Sequence, residues 1–108
     1  MRALPVVGGR LAAVPSSASS MPFLTPGATP SVSADGTSGG IVWAVNQGPP
    51  GLYAFDATDL GHLLYSSDQL AGRDQLDAVA HFVVPTVADG KVFVGTQQTL
   101  TAYGELGP

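Results

Sequence analysis

Five sets of side chains in this chain are of types that do chemistry. Asp35 and Asp89 each precede a glycine, and carboxylates of this kind can ligate calcium. Asp-Gly is also the pair a tight hairpin turn asks for, since Gly adopts positive φ freely and Asp tolerates it. Both are read as turns. Arg73, Asp74 and Asp77 put opposite charges on one polar stretch. Loops often carry function, yet an exposed local ion pair is worth only about 0–1 kcal/mol, and the ion pair is the expectation here. His62 and His81 have no second ligand at zinc-like spacing and are expected as partly exposed polar residues. Trp43 and Phe93 could stack against a sugar or a quinone, but aromatics at matching positions are expected to pack a core. Ser16, Ser17, Ser19 and Ser20 lack the Gly-x-Ser-x-Gly elbow of a nucleophile. No catalytic residue and no metal ligand is therefore assigned, and the cofactor-binding residues stay unknown.

The elements that must hold these residues read as short strands. The chain has 14 Gly and 9 Pro, and only 11% of it is charged, against roughly 25% in an average soluble domain. Few charges, many turn residues and β-branched runs favour strands over helices. Residues 2–18 read as two strands around the Gly8-Gly9 turn, and residues 19–29 as an extended connector whose prolines block a central strand. From residue 30 a four-stranded meander is expected: residues 30–34, 41–45, 52–56 and 62–66, with turns at 35–40 and 57–61 and a loop at 46–51. Residues 67–79 read as a polar loop with one helical turn near 68–72. The pattern then restarts with residues 80–84 as a strand, a Pro85–Gly90 segment, and strands at 91–95 and 100–103. The domain division is thus 1–29, the end of a preceding unit plus connector; 30–67, a complete unit; 68–79, a loop; and 80–108, an incomplete final unit.

Two parts of the sequence echo each other about fifty residues apart. Ile41-Val42-Trp43-Ala44-Val45 matches Lys91-Val92-Phe93-Val94-Gly95, and Leu52-Tyr53-Ala54-Phe55 matches Leu100-Thr101-Ala102-Tyr103. His62 to Ser67 matches residues 12–17 more weakly. Pro30-Ser31-Val32 and Pro85-Thr86-Val87 each lead to an Asp-Gly pair. The differences in length fall in loops, as a physical repeat requires. Ile-Val-Trp-Ala-Val has no polar alternation, so both faces of its sheet are expected to be covered. Stacked blades of a β-propeller meet that condition. Two blades cannot close a ring of about four to eight, so apolar faces and strand edges are expected to stay open.

Composition removes several function classes. The net charge is −4 with four Lys and Arg, which leaves no basic stripe for nucleic acid. The chain has no Cys, hence no disulfide or thiolate site. No apolar run approaches the roughly 20 residues of a spanning helix. The start is apolar, but Pro5, Gly8, Gly9 and Arg10 break it, and it is not read as a signal peptide. Any export signal is expected upstream in a longer parent.

Pro85-Thr86-Val87-Ala88-Asp89-Gly90-Lys91-Val92-Phe93-Val94-Gly95 and Gly51-Leu52-Tyr53-Ala54-Phe55-Asp56-Ala57-Thr58 resemble the repeat of the PQQ-like (pyrroloquinoline-quinone repeat) β-propeller family. The resemblance covers residues 30–67 and 84–103, with Tyr65 where that repeat has a closing Trp. It implies an all-β fold, about two blades of four-stranded antiparallel meander from the C-terminal end of a propeller. It implies a structural or interaction portion without a catalytic site, and a periplasmic or extracellular setting. The partners expected are the remaining blades or further copies of the chain, and a protein or carbohydrate ligand. The alternative is a fragment of a quinone-dependent dehydrogenase. Under that alternative alone, PQQ and calcium would be bound.

Overall fold

A computed structural model describes residues 1–24 and 27–105; residues 25–26 of the connector and the terminal 106–108 lie outside the described residues. The chain is all-β. Its first strands are pairs of residues: β1 (Arg2–Ala3), β2 (Val6–Val7), β3 (Arg10–Leu11) and β4 (Ser17–Ala18). β2 and β3 close around Gly8-Gly9, whose positive φ values suit a two-residue hairpin turn. β1 and β4 pair outside them, Arg2 opposite Ala18 and Ala3 opposite Ser17. The result is one bent ribbon rather than the two strands expected.

The central sheet is β5 (Ser31–Asp35), β6 (Ser38–Gln47), β7 (Pro50–Asp56) and β8 (Asp59–Ser66), in chain order and antiparallel. This is the expected meander, with longer strands and shorter turns. The turn after β5 is only Gly36-Thr37, and β6 absorbs the rest through a register shift between Ser33 and Asp35. The expected 46–51 loop is a two-residue turn, Gly48-Pro49, with a cis peptide bond. Asn46 does not turn the chain because it is buried and fastened elsewhere: its Nδ2 donates to the Pro22 carbonyl, and its Oδ1 accepts from the Leu24 amide. Pro50 opens β7, where its missing N–H costs no ladder bond.

A 3₁₀ turn (Ser67–Leu70) and a one-turn helix α1 (Ala71–Asp74) follow, where one helical turn was expected. Residues 80–84 are not a strand. Residues 81–82 form a turn with Phe82 at φ 63°, 73% exposed. An apolar run becomes a strand only beside a partner edge, and residues 80–84 pair with none: they lie mostly exposed with only Val83 packed on the core, while the flanking Leu76, Val79 and Pro85 are buried. The second sheet is β9 (Thr86–Ala88), β10 (Lys91–Gly95) and β11 (Leu100–Gly104).

The two sheets share one register. Trp43 faces Ala54 across β6–β7, and Phe93 faces Ala102 across β10–β11. Val42 pairs with Phe55 as Val92 pairs with Tyr103. Val32 pairs with Val42 as Val87 pairs with Val92.

The central sheet is covered on both faces. Side chains alternate along a strand, so Val45 and Leu52 point one way from the central sheet, and Tyr53 and Phe55 the other. Val45 and Leu52 meet Val92 and Val94 of the second sheet, sealed by Leu76 and Val79. Tyr53, Phe55 and Leu60 meet Ala3 of the ribbon together with Met1, Met21 and Phe23. The face carrying Trp43 thus lies on the opposite, Val92-bearing face of the next sheet: front on back. β7 is buried on both sides from Gly51 to Phe55. The outer surfaces stay open, with Val6, Val14 and Leu100 each about 70% exposed.

Candidate functional site

The front of the central sheet and the back of the second sheet touch at Val45, Leu52, Val92 and Val94. Toward the other end they part and leave a cleft of about 620 Å³. Ser33, Trp43 and Tyr65 line it from one sheet, Lys91 and Tyr103 from the other, and Arg73-Asp74 from α1. The strand register explains the aromatic wall. Trp43 faces Ala54 and Ala54 faces Tyr65, so one small alanine separates two rings on one row.

Hydrogen bonds hold every ring in place. Trp43 Nε1 donates to Ser33 Oγ at 2.9 Å. The Tyr65 hydroxyl donates to Asp74 Oδ2 at 2.8 Å, and the Tyr103 hydroxyl to the Asp74 carbonyl at 3.0 Å. Arg73 Nη2 donates to Asp74 Oδ2 at 2.6 Å, and Arg73 Nε donates to Oδ1. Asp74 is thus the hub that ties α1 to both sheets. The tyrosines also meet edge-on, with centroids 6.4 Å apart, a preferred aromatic geometry.

The electrostatics follow from this hub. The Arg73 hydrogen bond, helped by Tyr65, lowers the Asp74 carboxyl to about 2 against the opposing effect of burial. Burial first, then the hydrogen bond and charge of Asp74, push the Tyr65 hydroxyl well above its ordinary range. Burial and the charges of Asp74 and Asp77 raise Tyr103. A general acid or base works best with a pKa near the operating pH. Asp74 is held below its ordinary range, and Tyr65 and Tyr103 above theirs.

No known relative decides the matter. No protein-family model, curated protein or solved structure matches the chain.

The structure gathers some of the singled-out residues and scatters others. Trp43, Arg73 and Asp74 come together in the cleft, whereas Asp77 turns away and accepts from Thr99 Oγ1 at 3.4 Å. Phe93 shares Trp43's register but lies on the open front of the second sheet. His62 is exposed, 3.8 Å from Asp56, and His81 sits on the 81–82 turn beside Phe82, not on a strand. Asp89 and Gly90 are the central pair of the β9–β10 turn, both at positive φ. Asp35 ends β5, one residue before its turn. The serines are fasteners: Ser17 Oγ accepts from the Leu60 amide at 3.0 Å, and Ser19 Oγ donates to the Met21 carbonyl at 2.9 Å. Ser33, Tyr65 and Tyr103 were not singled out as site residues. Their signal was alternation: Tyr65 falls on the row of Trp43, and Tyr103 faces Val92.

Proposed function

We propose that this chain is a structural and interaction portion of a β-propeller of the PQQ-like repeat type, with no catalytic site of its own. The observation that carries the reading is the front-on-back stacking of the central and second sheets, whose strands share one register. A blade in a propeller meets its two neighbours in this way, with the same two faces each time. The open outer faces supply the interaction surface, and the partners are further blades of a longer parent or other copies of the chain. An exported setting follows from the same resemblance.

Light scattering on the purified chain, with far-UV circular dichroism on the same peak, tests this. A β-rich oligomer of three or four copies supports it, as does a chain that aggregates or unfolds without neighbouring blades. A stable folded monomer that binds no ANS would overturn it, since such a molecule needs nothing on its outer faces. Saturable uptake of PQQ with calcium would replace the scaffold by the dehydrogenase reading.

A further inference from the structure

We propose that the cleft between the two sheets binds a neutral sugar. This inference stands on two sheets that both belong to this chain, and it holds whether or not further blades adjoin them.

Three features of the cleft select this chemistry. The first is its division into apolar walls and a polar end. Trp43, Tyr65 and Tyr103 offer rings, with Val92 behind them, while Arg73, Asp74 and Ser33 supply polar atoms. A pyranose has the same division, with C–H faces that stack on aromatics and a rim of hydroxyls. A purely aromatic ligand would cover Arg73 and Asp74 without replacing the water it removes from them, and burying polar groups without partners is costly.

The second feature is charge. Arg73 is closed onto Asp74 by two hydrogen bonds. Lys91 and Glu105 add one charge of each sign to the lining. The cleft therefore carries no surplus cation for a phosphate or carboxylate, and no surplus anion for an amine. Strong recognition of an anion uses a guanidinium fork left open for it, and here Asp74 already occupies that fork.

The third feature is readiness. Trp43 is pinned through Ser33, and Tyr65 and Tyr103 through Asp74, so little side-chain freedom remains to be lost on binding. The Arg73 side chain is half exposed, and Asp74 is 11% exposed. Arg73 keeps N–H groups beyond the two that hold Asp74, and these offer donors to sugar hydroxyls. The volume of about 620 Å³ falls within the range of ligand pockets, about 300–1,000 Å³.

The experiment uses the protein's own reporter. Trp43 is the one tryptophan in the chain, so indole emission reads the cleft alone. The purified chain is titrated with glucose, galactose, mannose, N-acetylglucosamine, maltose and cellobiose, with glucuronate as the anionic counterpart. The expected result is a saturable change in emission with at least one neutral sugar, together with protection of Trp43 from acrylamide quenching. Arg73→Ala is expected to weaken that binding about tenfold, and Asp74→Asn likewise, each with circular dichroism unchanged. His62→Ala, remote from the cleft, leaves it as it was. The proposal is overturned if no neutral sugar gives saturation while acrylamide still reaches Trp43. It is overturned equally if glucuronate alone binds, or if both cleft variants bind like the parent. The native mass, a separate readout, reports on the propeller reading, so either idea can fail without the other.

Discussion

Each of the three tyrosines ends in a hydrogen bond to the short helical segment. Tyr53 donates to Asp68 Oδ2 at 2.8 Å, Tyr65 to the Asp74 carboxylate, and Tyr103 to the Asp74 carbonyl. Burial, then Asp68, raises Tyr53 to about 12, and the other two are also raised. A hydroxyl whose folded pKa lies above its unfolded value of about 10 stabilises fully below that value. For Tyr53 the contribution is lost as pH rises through about 12. Titration at the tyrosinate absorption band should therefore show Tyr53 and Tyr65 still un-ionised at pH 10 in the folded chain; a normal titration of either would contradict the geometry. Asp74 works in the other sense. Its pKa is depressed from 3.8 to about 2, so its contribution is present above the unfolded value and lost as pH falls through about 2. Acid titration followed by the tyrosine ring resonances should show Tyr65 releasing only in that window. Ser67 supplies the sharpest stability test. It is fully buried, and its Oγ accepts from the amide of Leu52, itself buried. Ser67→Ala strands that amide and should cost about 1–3 kcal/mol in urea unfolding.

Turns and strands respond to different residues. At Gly90 the backbone lies at φ 68°, where a side chain costs about 1–2 kcal/mol. Gly95 ends β10, the strand that follows this turn, with open space where a Cβ would lie and no positive φ. Gly90→Ala should lower the thermal midpoint, and Gly95→Ala should leave it unchanged or raise it; equal effects would put the turn elsewhere. The contrast also shows what was legible in the sequence. Apolar runs bounded by turn residues marked β10 and β11 almost to the residue, and the centres of β6 and β7, which begin three and two residues earlier than expected, because local chemistry decides a strand's centre. Residues 80–84 failed for a non-local reason: the run is apolar enough for a strand, but no strand edge lies beside it, and all but Val83 stay exposed. Asn46 failed similarly, as a turn former whose amide is held by Pro22 and Leu24. In the site, Arg73 and Asp74 were legible as neighbours in sequence. Their meeting with Tyr65 and Tyr103 depends on how two sheets lie on each other, which no local pattern specifies.

In the whole molecule, β7 is the wall between two cores that share no buried side chain. Leu52 belongs to one and Phe55 to the other, and both are almost fully buried. Leu52→Ala should cost about 2–5 kcal/mol and Phe55→Ala about 3–5 kcal/mol. Against a total of roughly 5–15 kcal/mol, either change should remove a large share of the stability. If Leu52→Ala loosened only the second sheet and left the ribbon's amides protected from exchange, the two cores would be independent rather than joined through one strand. The stacking itself has a further consequence. The front of the central sheet lies on the back of the second sheet, so these two sheets meet through unlike faces. The front of the second sheet and the outer side of the ribbon are therefore unlike surfaces, and a partner fitted to one has no reason to fit the other.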